Sequence, residues 1–195
     1  MILPIVAYGD PVLRKVGTNI SAEYTELEKL ISNMWETMNN AQGVGLAAPQ
    51  IGKSIRLFII DASPFGDDKD LPEEERKVLK DFKHVFINAK ITSEEGKEWT
   101  FNEGCLSIPD IREDVSRKEQ ITIEYQDENF ASQKKILSGL AARVFQHEYD
   151  HIEGVLFTDK LSSLKKRLLK KKLDNISKGK INADYRMRFP KEKRN

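Results

Sequence analysis

The run Gln146-His147-Glu148-Tyr149-Asp150-His151 sets two imidazoles four residues apart, with a carboxylate directly after the first. On an α-helix that spacing is about 40° of azimuth and about 6 Å of rise, so both rings can reach one metal ion. Glu148 stands about 100° round from His147, close enough to address a water on the metal without being a ligand. Two imidazole ligands and a general base are what metal-assisted hydrolysis needs. Taken alone, the pattern fits equally a buried histidine beside an exposed charge pair. Asp150 is either a support for a ligand or a surface residue.

A catalytic site of this kind needs a third protein ligand. Glu153 falls on the wrong side of the helix, Asp159 lies further on, and His84 sits in a strand-like segment with no supporting motif. Cys105 is the better candidate. It lies in Glu103-Gly-Cys-Leu-Ser107, where Gly104 permits close backbone approach, and it is the chain's one cysteine. A lone cysteine is otherwise a small buried hydrophobe. A third segment, Gly43-Val-Gly-Leu-Ala-Ala-Pro-Gln50, lacks the spacing of a dinucleotide or phosphate loop, and no Lys-Ser/Thr follows it. Nucleotide binding is therefore disfavoured. Two glycines suit a backbone that runs beside an extended ligand, and Gln50 can donate an amide N–H to an oxyanion.

These residues must be held by elements that the hydrophobic pattern predicts. Residues 139–152 read as a helix with the stripe Leu140, Val144, His147 and His151. Residues 22–40 read as a second helix, capped by Ser21, with Leu27, Leu30, Ile31, Met34, Trp35 and Met38 on one face. A buried strand is expected at 55–61, and others at 84–92, 97–102, 119–126 and 131–137. Residues 62–83 are acidic and turn-rich, with a short helix around Glu73–Leu79. A last helical segment spans roughly 160–174. The sum is an α+β fold in which antiparallel strands pack around a central metal-binding helix, with a basic C-terminal helical extension.

With 195 residues the chain can bury a full core without cross-links, and one cysteine excludes a disulfide framework. No apolar run suits a membrane span, and the start lacks a basic leader, so the cytoplasm is the expected compartment. The net charge of +1 conceals an asymmetry. Residues 160–195 hold 14 Lys/Arg against 3 Asp/Glu, which leaves 18 against 28 for the rest.

In this order, the three segments resemble the signature motifs of the peptide deformylases, which remove the N-formyl group from newly made bacterial polypeptides. The resemblance runs from about Pro4 to Leu161 and takes in Gly9-Asp-Pro-Val-Leu13 and Gly154-Val-Leu-Phe157. It implies a catalytic domain over 1–160 and a basic C-terminal helix and tail over 161–195. It also implies that Cys105, His147 and His151 hold one divalent metal ion with water in the fourth position. Iron(II) is the expected metal, and zinc, nickel or cobalt are possible substitutes. That water would attack the formyl carbon with Glu148 as general base, while the Gln50 amide and the Leu106 backbone N–H stabilise the oxyanion.

The implied substrate is a nascent N-formylmethionyl polypeptide lying extended beside Val44 and Gly45 on one side and Gly104 on the other. Its methionine side chain would enter an apolar pocket that includes Leu140 and Val144. Arg143 stands where many relatives are apolar. Arg112 either contacts the peptide near the mouth or is a solvated loop charge. The basic tail either packs its leucines on the body and leaves its lysines in water, or is drawn to ribosomal RNA. Because the site lies upstream, the chain beyond about residue 175 is expected to be dispensable for hydrolysis.

Overall fold

A computed structural model describes residues 1–190. Strands β1 (Ile5–Val6), β2 (Gly45–Ala47), β3 (Leu57–Asp61), β4 (Lys83–Cys105), β5 (Ile108–Gln126), β6 (Ser132–Ser138) and β7 (Met187–Arg188) combine with four helices. The helices are α1 (Leu27–Asn40), α2 (Glu73–Lys80), α3 (Gly139–Ile152) and α4 (Ser163–Ser177). The main sheet is antiparallel in the order β2-β3-β4-β5-β6.

The run Leu57-Phe-Ile-Ile60 is apolar throughout because β3 is covered on both faces. Alternate residues point to opposite sides. Phe58 and Ile60 join one buried cluster with Phe86, Leu140, Val144 and Phe145 of the α3 side. Leu57 and Ile59 join another with Leu30, Met34 and Met38 of α1. Phe58, Phe86 and Phe145 lock α3 to the sheet, with ring centroids 5.0–5.1 Å apart. Helix α3 is buried on nearly every side, as the stripe reading did not anticipate. A third cluster joins Val6, Ala7 and Leu13 near the start to Phe157 and to Leu169, Leu173 and Ile176 of α4.

The expected helix over 22–40 is shorter than its pattern. It begins at Leu27, because Glu26 takes a left-handed conformation with φ 58°, which no α-helix can pass through. Ser21 therefore caps nothing; its hydroxyl bonds Glu23 instead. The strands expected at 84–92 and 97–102 are one strand, β4, with register shifts where it pairs with β5. The last helix lies at 163–177, a little later than expected. On it Leu169 is buried, whereas Leu164 and Leu168 are 57% and 71% exposed among lysines.

After α4 the chain turns at Gly179, in the left-handed region, and runs back across the molecule. There β7 pairs with β1 in parallel, Ile5 opposite Met187 and Val6 opposite Arg188. Both ends of the described chain thus meet. Expectations for residues 191–195 lie outside the described residues.

Candidate active site

Cys105 ends β4 at the tip of the long β4–β5 hairpin, where it pairs with Ile108. His147 and His151 come from one face of α3, with ring centroids 5.1 Å apart. Cys105 Sγ lies 3.3 Å from His151 Nε2, and the three potential ligand atoms all fall within 4.8 Å of one another. Ligand bonds of about 2.0–2.3 Å around one tetrahedral ion set donors about 3.3–3.8 Å apart, a separation the thiol and His151 already have and the rest of the set reaches by closing in about an ångström. The donor set, one thiolate and two imidazoles, suits first-row transition ions better than calcium or magnesium. His151 is buried and Cys105 partly so.

His147 has its ring fixed from behind. Its Nδ1–H donates to Glu103 Oε2 at 2.9 Å, which leaves Nε2 as the nitrogen available to an ion. Glu103 is buried and receives two bonds from Arg117, Nε at 2.7 Å and Nη2 at 2.9 Å. Arg143 adds a third at 2.9 Å. Burial opposes the charge on Glu103, but hydrogen bonds from Arg117 and His147 outweigh it and hold the carboxyl well below the usual range. Asp150 resolves as a support: its Oδ2 accepts from Arg117 Nη1 at 2.7 Å. The other carboxylates weighed as ligands are engaged elsewhere, Glu153 with Arg56 and Asp159 with Arg14. His84 packs edge-on against Phe82.

Arg143 does border the cleft, but its charge is engaged by a buried polar network. It is 1% exposed, and its guanidinium also donates to the carbonyls of Trp99 at 2.6 Å and Val115 at 3.1 Å. The group stacks 4.4 Å over the Trp99 ring, which with these bonds accommodates the charge, although Nε is buried without a partner among the described residues. Neither Glu103 nor Arg117 stands out in the sequence. Arg117 lies in a charge-rich run that reads as solvated strand, and Glu103, though it opens the segment that ends at Ser107, carries no sign of its burial.

Glu148 points into the cleft with Oε2 buried and without a partner among the described residues. Burial pushes its carboxyl up to about 7, with opposing contributions from His147 and Glu103. Gly45 faces it so closely that a Cβ at this position would overlap the carboxylate. Gln50, on the turn after β2, accepts from Ala47 N–H through Oε1 at 2.8 Å and turns Nε2 toward Cys105 Sγ at 3.5 Å. The amide is thereby fixed with its donor facing the cleft.

The cleft has a volume of about 560 Å³ and is lined by Val44, Gly45, Gln50, Gly104, Cys105, Leu106, Arg112, Val144, His147 and Glu148. Arg112 is exposed at its edge, tied to Asn102 Oδ1 at 2.9 Å. Leu140 does not line this cleft. It faces a neighbouring cavity of about 420 Å³ with Trp99 and Phe101, and Phe101 and Phe65 border both spaces. Phe65 belongs to the acidic insertion, which therefore reaches the site.

The family model for polypeptide deformylase matches residues 2–167. The chain belongs to this family. It is 65% identical to the peptide deformylase of Christiangramia forsetii over 194 residues, covering 100% of this chain and 99% of the relative. The peptide deformylase of Flavobacterium johnsoniae is 66% identical with the same coverage. Among solved structures, that of peptide deformylase from Thermus thermophilus is similar with a TM-score of 0.78 and 39% identity, covering 92% of this chain and 99% of that one. The enzyme is a metal-dependent hydrolase that acts on formylated nascent peptides. Among the described residues no helix is long and apolar enough to cross a membrane.

One expectation fails at this site. The tail beyond residue 175 is not remote, because Asn182, Ala183, Asp184 and Tyr185 also line the deformylase cleft. The parallel β1–β7 pairing brings them there, and pairing between segments so far apart in sequence leaves no local signal.

Proposed function

We propose that Cys105, His147 and His151 hold one divalent ion, iron(II) in the cell with zinc, nickel or cobalt as substitutes, and that Glu148 is the general base of formyl-amide hydrolysis. The observation that carries this reading is the convergence of those three donors beside the unpartnered Oε2 of Glu148. Bound there, such an ion supplies a Lewis acid and lowers the pKa of water. Glu148 is suited to take a proton from water and return it to the departing amine, because burial pushes its carboxyl up to about 7. The Gln50 amide, locked by Ala47, and the Leu106 backbone N–H donate to the developing oxyanion.

The formylated peptide lies extended between Val44-Gly45 and Gly104, read through its backbone as an added strand. The first side chain enters beside Val144, and Leu140 forms the wall behind it from the neighbouring cavity. Arg112 meets the peptide at the mouth. Residues 1–160 supply the metal ligands and the general base, while the basic extension 161–195 returns to the cleft through residues 182–185 and its α4 lysines attract ribosomal RNA. The free thiol and the nature of the substrate support a cytoplasmic site of action. Turnover of a formylmethionyl peptide, with an internal peptide as control, tests the reaction. In a metal-loaded Glu148→Ala protein, turnover should drop about 10²–10⁴-fold. Near-normal turnover would exclude Glu148 as the base.

A further inference from the structure

Leu106 follows the thiol in the turn that joins β4 to β5, and its backbone is held from an unexpected quarter. The Tyr185 hydroxyl donates to the Leu106 carbonyl oxygen at 2.8 Å. The Tyr185 ring packs against the same apolar cluster as the Leu106 side chain. Tyr185 is itself fixed by the segment that follows it. Ile5 N–H donates to Arg186 O and Ala7 N–H to Arg188 O, each at 2.9 Å. The next carbonyl of the turn, that of Ser107, accepts from Tyr8 N–H at 2.8 Å. Two successive carbonyls beside Cys105 are thus tethered, one by the end of the described chain and one by its beginning. None of residues 182–188 falls within the span matched by the family model, which stops at 167.

We propose that Tyr185 is a positioning residue for deformylation: its hydroxyl fixes the Leu106 carbonyl and so aims the Leu106 N–H into the cleft. This rests on the reading of that N–H as an oxyanion donor. The tether fixes the peptide plane after Leu106, and the pairing of Cys105 with Ile108 fixes the residue before it, so the N–H between them has little room to turn away, and a donor fixed before reaction costs nothing to reorganise during it. Loss of the tether should therefore weaken the transition state and leave ground-state binding alone.

The test uses the full-length, metal-loaded enzyme with Tyr185→Phe, which keeps the ring and its packing. On a short formylmethionyl peptide, kcat should fall about threefold to tenfold, the worth of one hydrogen bond, with KM within about twofold. Metal per chain and the thermal midpoint should match wild type, while amide hydrogen exchange over residues 104–108 should quicken. Unchanged kcat overturns the proposal, as does a loss that tracks metal content or the thermal midpoint. Tyr185→Leu gives a second point if the Phe protein folds poorly. Leu106→Pro, which deletes the N–H, separates the two readings. If that protein, metal-loaded, keeps kcat, the donor assignment itself is wrong. If it loses kcat and Tyr185→Phe does not, only the tether is wrong.

Discussion

Two oxygens of Glu103 gather Arg117, Arg143 and His147. Glu103→Ala would leave Arg143 with no carboxylate and Arg117 with Asp150 alone, a change worth about 3–5 kcal/mol for a buried pair broken on one side. It would also free the His147 ring, and loss of such a support typically lowers metal affinity about 10–100-fold. Thermal unfolding and a metal titration measure the two effects separately. The same carboxyl dictates an acid limit. Its folded pKa is held below the unfolded value of about 4.3, so its stabilisation is full above that value and fades as pH falls through the folded one. Unfolding measured from pH 6 down to pH 3 should show a steep loss in wild type and a flatter one in Glu103→Gln. A wild-type curve no steeper than the variant's would rule this out. The histidine pair was legible because its spacing is local. The carboxylate behind it was not, because its burial arises only where β4 and β5 pair and α3 covers them.

At the scale of elements, α3 could be read to its residue limits, since a sustained apolar pattern and the turn at Gly139 bound it. The long hairpin could not. Its middle, around residues 94–98, has exposed residues on both faces, and without one buried face there is no alternation to read. Gly96, in the left-handed region at a register shift, falls in the gap between the two expected strands. The glycine at position 45 also makes an element-level demand: β2 must pass against Glu148 with no side chain between. Gly45→Ala should keep the fold but cut turnover about 10²-fold or more through displacement of the carboxylate, as kinetics on a correctly folded protein would show. Removal of residues 182–195 should lower kcat at least as much as Tyr185→Phe, because it takes the tether and the cleft wall together. Full activity in the truncated protein would mean that the tail only borders the site.

For the whole molecule, the charge imbalance read from composition maps onto real surfaces, with the lysines of α4 displayed around exposed Leu164 and Leu168. The reading that the tail packs its leucines on the body is half met, since Leu161 and Leu169 are buried and Leu164 and Leu168 are not. If this face meets ribosomal RNA, co-sedimentation with ribosomes should fall steeply between low and moderate salt. Replacement of Lys170, Lys171 and Lys172 by alanine should flatten that dependence. Binding indifferent to salt would point to an apolar contact instead.

The parallel joining of β1 to β7 also has a temporal side. Ribosomes make chains from one end to the other, so a copy interrupted before residue 182 already holds the thiol and both imidazoles, yet lacks the tyrosine that restrains their neighbour. The two strands stand some 180 residues apart, and closing so long a loop is slow compared with forming a hairpin. If Tyr185 positions Leu106 as proposed, competence at the formyl group would come last in this enzyme's own biogenesis, after the thiol and both imidazoles have met.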